Sequence, residues 1–247
     1  MMKDLVLLAI DTATAKGASY ADARVVQYRR QYIACEDQRV SQLMDSEDWG
    51  IGVRVIADGA WGFAGTSVLT PEEVQRVAAE AVAIAKASAS ARRKPVQLAP
   101  EPVHQMSFRS ACEVDPFHVP VDTKVGLLLQ INAALLKYAG IKKATSYMLF
   151  KREERVFAST EGSLMDSIIY TTAASYTATA VGEGDARSRT YAPPPMTKGY
   201  ENINAEDLLG NTERVAQQAL EHLKAPEVDD MVTDLVLDPL NLALTMH

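Results

Sequence analysis

Asp58-Gly59 stands between two β-prone runs, Gly50 to Ile56 and Ala60 to Gly65. A two-residue turn of this kind has positive φ at both central positions, which aspartate tolerates and glycine adopts freely. It folds the chain back on itself, so the two runs must pair antiparallel. Upstream, Ala21 to Tyr28, Gln31 to Glu36 and Arg39 to Asp45 alternate well enough for three more strands, with Asp37-Gln38 as a tight turn. A helix over residues 3–16 precedes them on the face Leu5, Leu8, Ala9, Ile10 and Ala13, and Gly17 ends it. A second helix follows. Thr70 caps it, Pro71 fits its first position, and Glu73 closes a capping box. Its buried face is Val74, Val77, Ala78, Ala81, Val82 and Ala85, and it runs to about Ala89.

Ser90 to Pro102 carries three prolines and the triplet Arg92-Arg93-Lys94, and reads as a solvated linker. Beyond Pro120 a long helix is expected, with Asp122 as cap, the stripe Val125, Leu128, Leu129, Leu135 and Leu136, and Gly140 as its stop. From Thr145 the period returns to two. Thr145 to Arg152, Arg155 to Thr160 and Leu164 to Thr179 read as strands, with Glu161-Gly162 as a turn and Ala186 to Tyr191 as one more strand. Asn204 caps a helix to Leu223, Val232 to Leu237 reads as a strand, and Leu242-Ala243-Leu244 begins another helix.

The expected fold is therefore α+β: two separable units with antiparallel sheets and flanking helices. The first is an N-terminal domain at 1–92 and the second a middle domain at 103–225. Residues 226–247 read as the start of a further domain, and the apolar ending at Met246-His247 reads as that of a fragment.

No run of 18 apolar residues is present, so no membrane helix is expected. Two cysteines make no disulfide framework and suit a reducing cytoplasm. The net charge is -7, with the acidic excess beyond residue 94, which argues against a nucleic-acid surface.

Few residues carry chemistry by their pattern. Gly50-x-Gly52 and Gly182-x-Gly184 lack the flanks of a phosphate loop. The spacing of His104, Cys112, His118 and His222 does not argue for a metal site. His118 reads as a surface or capping residue, and His222 as a complement to a helix dipole. Trp61 and Phe63 share one face of a strand and are expected to pack against a helix, while Arg54 is expected at the surface. Tyr170, Tyr176 and Tyr191 mark a threonine-rich sheet. An edge strand around Ser163 to Thr179 would accept an extended peptide by backbone pairing, unless both its edges are covered. His247 follows an apolar helical start, as the first histidine of a zinc-peptidase helix does, but the glutamate and second histidine of such a helix are not in this sequence.

Several segments together resemble the TldD/PmbA family, long labelled modulators of DNA gyrase. They are Gly17 to Val25; Gly50 to Val55 with Asp58-Gly59 and Trp61 to Ala64; Asp115-Pro116-Phe117; and Phe157 to Gly162. The resemblance covers nearly the whole chain. It implies a zinc metallopeptidase whose catalytic domain follows these two, with the motif His-Glu-x-x-x-His and a distant cysteine. Val236 to Pro239 and Leu242 to Met246 look like the lead-in, so His247 matches the first zinc ligand. No other catalytic residue carries over, and no zinc is expected in this chain alone. The family further implies unfolded peptide substrates, a homodimer or a heterodimer with a PmbA-like paralogue, a cytoplasmic location and no direct nucleic-acid contact. The rival reading is a non-catalytic PmbA-like partner or peptide-binding module, and the residue after His247 separates the two.

Overall fold

The computed structural model describes residues 2–247, except the side chains of Leu240 and Leu244. Helix α1 (Met2–Ala15) leads into β1 (Tyr20–Glu36), β2 (Arg39–Ala57) and β3 (Ala60–Thr66), followed by α2 (Pro71–Ala89). After the linker come β4 (Gln105–Arg109), a short 3-10 turn at Pro116–His118, α3 (Val121–Leu136), β5 (Ile141–Ser159), β6 (Leu164–Val181) and β7 (Ala186–Tyr191). A 3-10 turn at Tyr200–Asn202, α4 (Ala205–Gly210), α5 (Thr212–His222) and α6 (Pro239–Met246) complete the order.

The two stretches each bring antiparallel strands and their own helices, and the fold is α+β. They are not separable, however. β1 and β5 pair from Asp22↔Ser159 to Glu36↔Thr145, so all seven strands form one sheet in the order β3-β2-β1-β5-β6-β4, with β7 also on β6. Short expected strands merge into long ones: β1 and β2 hold 17 and 19 residues, and β5 runs through the expected break at Glu153-Glu154. Cross-strand hydrogen bonds on both sides carry a strand through positions of weak local preference. β4, which no local pattern announces, joins the edge parallel to β6.

Helices cover one face of this sheet. On β1 the buried positions Ala21, Ala23, Val25, Ile33 and Cys35 share one parity, so they point the same way. The first three meet α1 and α2 in one core; the last two meet α3 and α5 in another. Val156 and Ala158 of β5 complete the first core, which is the physical reason the N-terminal unit does not stand alone. Between the cores the covered face is polar: Gln27, Arg29 and Gln31 replace the apolar positions.

Most local signals are realised. Asp58 and Gly59 both take positive φ, and Asp37 takes φ 53°. Asn204 accepts from the Asp207 amide at 3.0 Å. The Glu73 amide donates to Thr70 Oγ1 at 3.3 Å, but the Glu73 carboxylate accepts from Arg76 at 2.7 and 2.8 Å instead of from the Thr70 amide, so only half of the expected capping box forms. Thr70→Ala should therefore cost about 1 kcal/mol, read as a lowered denaturation midpoint at unchanged slope. Asp122 is not the cap of α3; the helix starts one residue earlier, after Pro120, with no side-chain cap. The expected single helix to Leu223 breaks at Asn211, whose amide side chain donates to the Asp207 carbonyl.

The expected strand Val232 to Leu237 is irregular and exposed. A strand needs a neighbour for its hydrogen bonds, and no described strand lies beside it. Among the described residues no helix is long and apolar enough to cross a membrane.

Candidate functional site

The face of the sheet opposite the helices is covered by no described helix. Register places residues from six strands in one line across it. Gly65 opposes Gly52, which opposes Arg24; Arg24 opposes Phe157, Phe157 opposes Met165, and Met165 opposes Met106. Trp61 and Phe63 belong to this open face, contrary to the expected packing against a helix. The residue that meets the helix is Gly62: a Cβ there would lie 2.0 Å from the Ala81 carbonyl oxygen of α2. Strand alternation alone puts Trp61 and Phe63 on the far side. Phe63 on the β3 edge and Met106 and Phe108 on the β4 edge are 61, 54 and 49% exposed, so bare apolar side chains stand at both ends of this line.

Arg54 is at the surface, as expected, and it is built into a cluster. Its guanidinium donates to Asp22 Oδ2 at 2.7 and 2.8 Å and lies over the Trp61 ring at 4.9 Å. Tyr20 donates to the same carboxylate at 3.0 Å. Burial, with the Asp22 charge beside it, pushes the Tyr20 hydroxyl up to about 12, so it remains a donor at physiological pH. Next to this cluster lies a depression of about 360 Å³ lined by Asp22, Arg24, Val26, Gly50, Gly52, Arg54 and Phe63.

On the covered face, Lys124 is fully buried between the two cores. Its Nζ donates to Gln31 Oε1 and to the Pro116 carbonyl, and sits 4.5 Å from the Phe150 ring centre. Burial pulls this amine down to about 8, with Arg29 acting in the same direction and Asp45 and Asp115 opposing it. It clamps α3 to β1 and to the 3-10 turn. Asp166 is held down to about 2 by hydrogen bonds from Ser107, Lys3 and Arg109, and ties α1 and β4 to β6.

The metal-capable residues do not converge. His118 and His222 are exposed at helix ends, and His104 is exposed in the linker, where its amide donates to Ser163 Oγ. Cys35 is buried, and Cys112 packs where Gly199 leaves room. His247 is exposed after α6, its amide donating to the Ala243 carbonyl. Among the described residues no three of His, Cys, Asp and Glu are grouped so as to hold a metal ion. His247 thus contributes a single nitrogen, and a zinc site of the catalytic kind takes three protein ligands.

The edge expected around Ser163 to Thr179 is also taken. β5 pairs along one side of β6; β4, the Thr172↔Met196 bridge and β7 occupy the other. The three tyrosines tie the sheet to its cover: Tyr170 bonds Asp115, Tyr176 the Leu208 carbonyl, and Tyr191 Asp207. Sequence patterns do not single out Arg24 and Phe157, since their adjacency depends on the β1–β5 register. The one available signal is the alternation of Trp61 and Phe63 with glycine.

Two family models match the chain: PmbA/TldA metallopeptidase domain 1 over residues 21–85, and the PmbA/TldA metallopeptidase central domain over residues 114–225. A protein named metalloprotease from Synechocystis is 25% identical over 93% of this chain and 48% of its own length. A second, from Methanothermobacter thermautotrophicus, is 26% identical over 92% and 48%. Among solved structures, a protein from Thermotoga maritima described as a modulator of a DNA gyrase has a TM-score of 0.72 at 14% identity, over 93% of this chain and 50% of that one. TldE from Thermococcus kodakarensis has a TM-score of 0.63 at 15% identity, over 87% and 47%. The chain spans about half the length of these relatives.

Proposed function

Because this chain belongs to the PmbA/TldA metallopeptidase family, we propose that it forms the N-terminal and central part of a zinc-dependent peptidase acting on unfolded peptides in the cytoplasm. The observation that carries the reading is the ordered match of both domain models over residues 21–85 and 114–225. The relatives named metalloprotease support it. In this reading His247 supplies the first zinc nitrogen, and the other ligands and the general base lie outside these 247 residues. When bound, zinc would supply an activated water. Apart from His247, the residues of this chain do not form its site, so their role is structural and recognitional. The working unit is a homodimer or a heterodimer with a PmbA-like paralogue, and no nucleic acid takes part.

The test uses two proteins, the 247-residue chain and the product of the full gene, with unfolded casein as substrate. The full-length protein should cleave it, lose activity to a chelator and regain it with zinc. His247→Ala should abolish cleavage while leaving the fold intact. The 247-residue chain should show no chelator-sensitive cleavage. Zinc-dependent turnover by the 247-residue chain, or full activity in His247→Ala, would overturn this assignment. A full-length protein inert towards every unfolded substrate would instead favour the non-catalytic partner reading.

A further inference from the structure

Arg24 occupies a singular position on the open face. The neighbouring cations there have acidic partners: Arg54 binds Asp22, Arg30 binds Asp48, and Lys151 and Arg155 share Glu153. Among the described residues no carboxylate lies within ion-pair distance of Arg24; its guanidinium faces the Phe157 ring, 5.7 Å away. On its other side is Gly52, and the Phe63 ring rests over that glycine, where a Cβ would lie 3.0 Å from the ring. An exposed, unpaired guanidinium thus stands between two aromatic rings, above the depression of about 360 Å³. Phe157 continues into Met165, Met106 and Phe108, which line a second depression of about 230 Å³ sharing Arg24.

We propose that the depression of about 360 Å³ binds the C-terminal residue of a peptide, its α-carboxylate on Arg24 and its apolar side chain against Phe63. Charge identifies the anion, because a guanidinium flanked by rings forms charge-assisted, forked hydrogen bonds with a carboxylate. Spacing identifies a single residue carrying both groups. The Phe63 ring belongs to the strand beyond but leans over Gly52, whose strand is next to that of Arg24, about 4.8 Å away, the reach of a side chain from its own carboxylate. Glycines at 50 and 52 add no side chains and let a ligand backbone approach closely. The inference rests on the peptidase reading for its choice of a peptide, but it concerns binding alone.

The experiment titrates the 247-residue chain with acetyl-Gly-Gly-Phe as the free acid and as its amide, followed by calorimetry and by amide chemical shifts. The acid should bind about tenfold more tightly than the amide. Arg24→Gln should bring the acid to the affinity of the amide, and Phe63→Ser should weaken both forms. Both side chains are exposed, so the unfolding transition should not move in either variant. Equal binding of acid and amide, undiminished binding by Arg24→Gln, or no binding at millimolar peptide overturns the proposal. So does a concentration-dependent dimer that Phe63→Ser disperses, because a second copy would then own this face. Since no cleavage is needed, these outcomes stand apart from the casein test: peptide can bind here even if the full-length protein proves inert.

Discussion

Gly62→Ala should destabilise this protein more than a methyl added at any other glycine of the sheet. The new Cβ would lie 2.0 Å from the Ala81 carbonyl oxygen, 2.6 Å from the Ala85 nitrogen and 2.9 Å from the Ala85 Cβ. Two of these are backbone atoms of α2, so no rotamer change relieves the clash; the helix must move off the sheet. That movement loosens Val77, Ala78, Ala81 and Ala85, all buried in the first core. A loss of about 3 kcal/mol or more is expected, at the upper end for overpacking. Gly126→Ala in α3 is the matched control, because a Cβ there meets nothing within 4 Å. It should stabilise by about 0.5–1 kcal/mol through helix propensity. Urea denaturation of both variants checks the pair, and equal effects would mean that α2 does not press on β3 as described.

The second large effect is the pH dependence carried by Lys124. Its folded-state value, about 8, lies below the ordinary value of 10.5. Between those limits the unfolded chain binds the extra proton, so stability rises with pH through this window. Below about 8 the native state bears the full cost of a buried ammonium; above 10.5 the cost is gone. Lys124→Met keeps an unbranched apolar stem of similar length and removes the titration. The stability difference between wild type and variant should therefore move in favour of the wild type by about 3 kcal/mol between about pH 7 and 10.5. Comparing two proteins cancels the tyrosines, whose raised values act in the opposite direction. Denaturation midpoints across this pH range measure it. A difference that stays flat with pH would show that Lys124 is solvated in solution.

Lys124 also shows where reading along the chain runs out. It lies on the helix expected after Pro120, just before Val125, the first position that sequence periodicity marks as apolar, and nothing nearby in sequence announces a buried amine. Gln31, one of its partners, is 93 residues away. The same holds for Arg24 and Phe157, which become neighbours only when β1 and β5 pair. The cap at Thr70 and the turn at Asp58-Gly59 are legible because every group involved lies within a few residues. Trp61 and Phe63 fall between the two cases. Their alternation is local and legible, but which face the helix covers is not. That choice is set by Gly62, where only the absence of a side chain admits α2.

Local elements are written into the order of residues: hairpin turns, capped helices, two regions of period two and the signature of a family. These depend on backbone preferences and on contacts a few residues apart, which the order of residues encodes directly. The tertiary structure alone decided that the two regions share one sheet, that β6 has no free edge, and that an unpaired arginine stands between aromatic rings on the open face. Each of these is a matter of strand register between distant segments. Register is fixed by the summed burial of many residues at once, through the pairing of Val25 with Val156 and Ile33 with Met148 among others, and no short stretch carries that sum.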